Sequence, residues 1–278
     1  MQTTVKLCAT QAWLPDFSGA VRIVKMRLKD LIFPPRCAAC AELLPVSIKG
    51  NIPMLCPDCE RAMKTEMMTQ CKECYLPMAD CRCVPKIMAT KGFAAHLKLL
   101  PFSDTKYPTA RGLVLHLKQS GDGRYYKALA ELLLPSVRAA IKAHNKSLAA
   151  AGKPPIKHTV VSFLPRTPMQ KRKHGVDQAA CLAKAISVAL GVKTIPLFRR
   201  RGRSLLQKSL SKNERFVNAR QSLALARGAV DLDLTDTLVL LVDDLITTGS
   251  SMAAAAELLR ARALMAVSIA FTPKAEKQ

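Results

Sequence analysis

The sequence predicts an α/β fold: a parallel sheet flanked by helices, preceded by a small cysteine-rich zinc-ribbon domain. Three observations carry that prediction. Apolar runs at 158–165 (HTVVSFLP), 238–242 (LVLLV) and 264–272 (LMAVSIAFT) are bounded by turn signals, the pattern of strands buried on both faces. Helical stretches alternate with them, which makes consecutive strands parallel and puts ligands at the strands' carboxyl ends. Ahead of this pattern, eight of the ten cysteines fall between Cys37 and Cys83.

Residues 1–36 read as a helical adaptor. VRIVKMRLKDLIF sets Val21, Val24, Leu28, Leu31 and Ile32 at helical spacing, and Pro34 and Pro35 stop the helix. Trp13 and Phe17 are packing residues, and no chemistry is assigned here. Residues 37–88 hold the knuckles Cys37-x2-Cys40, Cys56-x2-Cys59, Cys71-x2-Cys74 and Cys81-x-Cys83. Each turns two thiolates to one side, and two knuckles complete a tetrahedral four-cysteine zinc site. The fifteen residues between Cys40 and Cys56 suit a zinc ribbon; the second set, with six between Cys74 and Cys81, is tighter and less regular. The spacing predicts two structural Zn2+ sites. Other pairings of the knuckles, a single occupied site, or disulfides in a secreted protein are the alternatives. Paired knuckles without a visible signal peptide favour metal and a reducing cytoplasm. Metal binding would fold a segment so poor in apolar residues. Cys8 and Cys181 read as plain buried thiols.

Residues 89–278 form the α/β domain. KGFAAHLKLLPF predicts an edge strand, and 109–118 a helix in which His116 is a packing or surface histidine. Lys118 leads into the turn QSGDG. YYKALAELLLPSVRAAIKAHNKSL predicts a helix interrupted or bent at Pro135, and AAAGKPPIKH a loop. Arg166 sits just past the strand HTVVSFLP. Residues 177–191 predict an amphipathic helix stopped by Gly191, and VKTIPLF at 192–198 a further strand. RRRGRSLLQKSLSKNER predicts a flexible basic loop before the helix ERFVNARQSL, and MAAAAELLRARA an Ala-rich helix.

The richest stretch is TLVLLVDDLITTGSS, 237–251. An apolar strand ends in Asp243 and Asp244, and the turn Thr247, Thr248, Gly249, Ser250, Ser251 opens the Ala-rich helix. Backbone N–H groups converging at a helix start make an anion site. Two carboxylates beside it suit a ligand that carries hydroxyls or a metal as well as a phosphate, and a sugar phosphate fits. The plain alternative is a strand–turn–helix with a Thr/Ser cap and solvated acids.

Charge adds a second constraint. The formal net charge is +23, from 43 Lys+Arg against 20 Asp+Glu. From Lys157 to Arg220 there are fifteen Lys/Arg against only Asp177 and Glu214, a local excess of 15 − 2 = 13. Polyanionic partners follow, either nucleic acid or phosphorylated small molecules; a basic cytosolic protein with a solvated charge run is the alternative. No apolar run approaches the ~20 residues of a membrane span.

Taken in order, these pieces resemble the ComF family, competence-associated proteins with cysteine knuckles and a type I phosphoribosyltransferase-like domain. The resemblance covers about residues 31–272. It rests on FPPRCAAC, LHLKQSGDG, KRKHGVDQAACLA, on FRRRGRSLLQKSLSKNERFVNA with its Gln207, Leu210, Glu214, Arg215 and Asn218, and on VLLVDDLITTGSS, which resembles the phosphoribosyl pyrophosphate (PRPP) motif. It implies that Asp243 and Asp244 meet the ribose hydroxyls or the Mg2+ carried by PRPP, and that Thr247, Thr248, Gly249, Ser250 and Ser251 hold its 5-phosphate. Arg166 and Lys118 would lie on the pyrophosphate side. The basic segments, with Arg172, Lys173, Arg199, Arg200, Arg201, Arg203 and Arg215, would cover the reacting centre.

Two departures matter. Where the family has Arg-Gly-Phe-Asn-Gln, this chain has His174, Gly175, Val176, Asp177 and Gln178. Where purine-salvage relatives carry an Asp base, it has Thr247, which disfavours purine salvage. The resemblance therefore implies a PRPP-binding protein that assists uptake or processing of transforming single-stranded DNA, with competence helicase or recombination proteins as possible partners. The alternative is an active Mg-dependent phosphoribosyltransferase with an unidentified nitrogen acceptor. The low aromatic content, 5%, speaks against single-strand stacking.

Overall fold

The computed structural model describes residues 34–45, 52–201 and 212–273. The expected adaptor helix over 21–33 and the centre of the basic loop lie outside them. The strands are β1 (Phe93–Pro101), β2 (His158–Phe163), β3 (Lys193–Thr194), β4 (Phe198–Arg200), β5 (Leu223–Leu225), β6 (Thr237–Ile246) and β7 (Ala263–Phe271). Five of them form one sheet in the order β1-β7-β6-β2-β3, every neighbouring pair parallel. β4 and β5 make a separate antiparallel pair. The edge position expected for KGFAAHLKLLPF is the one β1 takes. Its outer side is not bare, because the His96 N–H donates to the Arg82 carbonyl at 3.2 Å, which protects an otherwise open edge.

The helices are α1 (Pro57–Met67), α2 (Lys86–Ala89), α3 (Pro108–Leu117), α4 (Gly123–Ala150), α5 (Pro168–His174), α6 (Gln178–Leu190), α7 (Lys212–Ser222) and α8 (Ser250–Ala256). Strand alternation sorts the core into two layers. Leu238, Leu240 and Val242 of β6 join Met265 and Val267 of β7 under α3, α4 and α6. Val239 and Leu241 face the opposite way, onto Leu197, Phe198, Met252 and Ala255.

Four expectations change in detail. The helix over 123–150 is not interrupted at Pro135; it runs through, because Leu129, Leu133, Val137 and Ala140 bury one continuous face on both sides of the missing N–H. VKTIPLF is not one strand. The Ile195 N–H still donates to Val161, but Pro196 has no N–H to continue the ladder, so the chain breaks into β3 and β4. Arg199 and Arg200 consequently sit in a strand and not in a loop. The Ala-rich helix stops at Ala256, where tight i to i+3 bonds from Leu258 and Leu259 turn the chain toward β7.

The cysteine-rich segment is welded to the sheet. Cys37, Ala38, Leu44, Leu55, Cys56 and Met63 belong to the same buried cluster as Leu113, Leu117 and Tyr126. Glu66, 8% exposed, accepts the N–H groups of Thr109 and Ala110 at 3.0 and 2.9 Å. It thus satisfies orphan donors at the N-terminus of α3 from another element. Gly112 on α3 lies so close to Ala39 that a Cβ there would stand 2.1 Å from its carbonyl oxygen.

Candidate functional site

The knuckles fold as two copies of one local motif. In the first, Cys37 N–H donates to the Glu42 carbonyl and Ala41 N–H to the Cys37 carbonyl, with Ala41 at φ 64°. In the second, Cys71 N–H donates to Leu76, Tyr75 N–H to Cys71, and Tyr75 sits at φ 59°. The turn faces both thiols inward and aims N–H groups at sulfur. Burial raises the Cys37 and Cys71 thiols, but backbone hydrogen bonds outweigh it and bring both to about 7. The sulfurs assemble as Cys37, Cys40, Cys56, Cys59 and as Cys71, Cys74, Cys81, Cys83, each set within 4.8 Å. A tetrahedral Zn2+ with Zn–S of about 2.3 Å needs sulfurs ~3.8 Å apart; Cys40 and Cys56 are at 3.7 Å. Two groups of four cysteines that could hold zinc ions are therefore present, in the pairing expected from sequence. All described cysteines are free thiols. Cys181 is free as expected but only half-buried.

At the sheet's carboxyl end, β6 runs longer than its apolar run and carries both acids inside the strand, pairing Asp243 with Ser268 of β7. Adjacent strand residues face opposite sides, and the partners confirm the split. Asp244, 9% exposed, accepts from Gln178 Nε2 at the start of α6 at 2.6 Å. Asp243 lies toward Arg200, whose Nε and Nη1 are held by the Pro165 carbonyl and Ser222 Oγ at 3.0 and 2.9 Å. Burial, then the neighbouring Asp244 charge, push the Asp243 carboxyl well above its ordinary range, with Arg200 opposing. The following turn is set by Gly249 at φ 80°. Thr248 Oγ1 accepts from the Ser250 N–H at 3.4 Å and lies 2.8 Å from Ser250 Oγ. Among the described residues, no acceptor meets the N–H groups of Thr248 and Gly249. Thr247 is exposed and Ser251 half-buried.

Arg166 follows β2, whose Phe163 is in register with Val242, so it emerges at the same sheet end as the two acids. Its Nη1 donates to the Lys118 and Val176 carbonyls at 3.2 and 2.9 Å, clamping the turn after α3 to the turn before α6. Asp177 completes the clamp. It accepts the Arg166 N–H, pairs with Lys171 at 3.0 Å and caps α6 through Ala180. Burial, then the charges of Arg166, Lys173 and Lys118, hold His174 below its ordinary pKa, so one positive field spans these loops. Arg172, Lys173, Arg199 and Arg201 are exposed; Arg199 Nε bonds the Leu225 carbonyl and points along the hairpin. Arg203 and the side chain of Arg215 lie outside the described residues.

Three contributors were not legible beforehand. Gln178 was visible only as part of a motif, Asp177 only as a departure from one, although an Asp directly before a helix is a cap signal. Met88 of α2, fully buried, packs on Gly249, where a Cβ would stand 2.5 Å from its Sδ. No local signal links residues so far apart in sequence. Chemically, the sheet end offers two carboxylates, backbone N–H donors and fixed cations within one rim. The class defined by fold and site is a parallel α/β protein with two four-cysteine groups. No protein-family model matches the chain, and no curated protein matches it. No described helix is long and apolar enough to cross a membrane.

Proposed function

We propose that the chain is a PRPP-binding protein of the ComF type that assists uptake or processing of transforming single-stranded DNA, with Zn2+ holding its two cysteine groups. One observation carries the ligand assignment: Asp243 and Asp244 lie near the carboxyl end of the central parallel strand, two residues before a glycine-set turn whose Thr248 and Gly249 N–H groups meet no acceptor among the described residues. Ligands of open parallel sheets bind at such carboxyl ends. Asp243 and Asp244 would meet the ribose hydroxyls or the Mg2+ that PRPP brings, and the 247–251 turn its 5-phosphate. Arg166 and Lys118 would face the pyrophosphate, with Arg200 of β4 on the Asp243 side. The eight cysteine sulfurs would supply closed, structural tetrahedral sites with no open position for chemistry.

A second reading, phosphoribosyl transfer to a nitrogen acceptor, is favoured by Asp243, whose raised carboxyl could accept a proton where Thr247 offers no base. One calorimetric experiment tests the ligand site. Titration with PRPP and Mg2+ gives a saturable heat in the wild type that is lost in Asp243→Ala/Asp244→Ala with the circular dichroism spectrum unchanged. Equal heats from both proteins would refute the assignment. Pyrophosphate release with a panel of bases and amines in the same protein separates the two readings: the binding reading expects none above hydrolysis.

A further inference from the structure

Lys98 has no role in the site described so far, yet it is one of the largest fully buried side chains, 1% exposed in the edge strand β1. An ammonium taken from water must find an anion or lose its proton. Among the described residues no carboxylate forms an ion pair with Lys98. Its Nζ donates to the carbonyls of Cys83 at 3.1 Å and His96 at 3.3 Å and stands 5.3 Å from the centre of the Phe271 ring. The groups able to carry negative charge beside it are the sulfurs of the second quartet, to which Cys83 belongs. Two of the three Lys98 N–H donors are met by carbonyls, and no acceptor among the described residues meets the third.

Four thiolates around a divalent ion carry two net negative charges, which a buried site must balance. Beside the first quartet, the Arg36 guanidinium is exposed and bonded to the Ala41 carbonyl. The second quartet has a buried ammonium on the carbonyl of one of its own cysteines. We propose that Lys98 is the buried counter-charge of the second four-cysteine metal site, its remaining N–H serving a ligand thiolate and tying that site to the edge of the sheet. The proposal rests on the reading of Cys71, Cys74, Cys81 and Cys83 as metal ligands. Outer partners of this kind damp the nucleophilicity of the thiolates and raise metal affinity.

Full-length protein loaded with zinc or cobalt(II) provides the test. The wild type binds two equivalents. In Lys98→Met, which keeps the stem and its packing, a chromophoric chelator strips one equivalent at about 10- to 100-fold lower chelator activity and leaves the other untouched. Alkylation followed by peptide mapping places the newly reactive thiols at Cys71, Cys74, Cys81 and Cys83. The sulfur-to-cobalt charge-transfer band of that site moves to lower energy, because the sulfur has lost an electron-withdrawing donor. Two bound equivalents with unchanged affinity, band and alkylation would overturn the proposal. A wild type that binds a single equivalent at the first quartet would instead remove the metal site, and the proposal with it. If Lys98→Met does not fold, cadmium-113-loaded wild type decides: scalar coupling between the Lys98 ammonium protons and cadmium across a ligand sulfur of the second quartet is the expected result, and its absence with two cadmium ions bound overturns the assignment.

Discussion

Two neighbouring carboxylates of the same chemistry sit in different surroundings at the end of β6. Asp244 is held by Gln178; Asp243 is raised by burial and by its neighbour's charge. A folded value above the unfolded 3.8 means that the native state holds this proton the more tightly. The favourable contribution is complete below 3.8 and is lost as pH rises through the raised folded value. Above the unfolded value Asp243 therefore disfavours the ligand-free fold increasingly as pH rises. Asp243→Asn is expected to stabilise the ligand-free protein at pH 7 by about 1 kcal/mol, the gain shrinking as pH falls toward the unfolded value. Urea titrations of both proteins across that range check the sign; a destabilised variant at pH 7 would contradict it. The adjacency of the acids was plain in the sequence. Their division between two faces of the sheet was not, because it depends on the strand continuing past Val242 to Ile246.

At the level of elements, the turn between β6 and α8 is shaped from two sides. Gly249 supplies the left-handed φ that β-carbon-bearing residues avoid, and Met88 of α2 fills the space where its Cβ would stand. α2 leads directly from the second cysteine group to β1, and Lys91 just after it pairs with Glu257 after α8 at 2.6 Å. The segment that follows the cysteine groups thus buttresses this turn. Gly249→Ala is expected to cost about 2 kcal/mol, combining the strained φ with overpacking. Adding Met88→Ala should recover the packing part and not the backbone part, a non-zero coupling in a double-mutant cycle. Strict additivity in thermal denaturation would show that the two residues do not meet. Helix and strand types were legible from periodicity, and the break after Ile195 was signalled by Pro196; the early end of α8 was not, because the Ala-rich pattern continues past Ala256 while the chain tightens into i to i+3 bonds at Leu258 and Leu259.

Over the whole molecule, the +23 charge predicts association with polyanions. The exposed Arg172 and Lys173 on α5, at the rim that holds Arg166 and Lys118, place part of that charge beside the sheet end. Tyr75, 74% exposed at the tip of the second knuckle, is the one exposed aromatic among the described residues and answers in part the shortage of stacking surface. Binding of a single-stranded oligonucleotide is expected to weaken by at least about tenfold between 50 and 200 mM salt, and Arg172→Ala/Lys173→Ala to reduce the log–log slope by about 2. Fluorescence anisotropy at several salt concentrations measures both; an affinity indifferent to salt would exclude a phosphate-dominated contact.

By itself the sequence determined the α/β class, the two cysteine quartets and the acidic strand end, because each is written in local spacing: short apolar runs, two-residue knuckles, and paired carboxylates before a small-residue turn. Tertiary structure decided which groups support them. Glu66 capping α3, Met88 against Gly249, Gln178 on Asp244 and Lys98 on the Cys83 carbonyl join segments distant in the chain. Burial and charge are summed over neighbours in space, and spacing along the chain records only those neighbours that happen to be close in sequence.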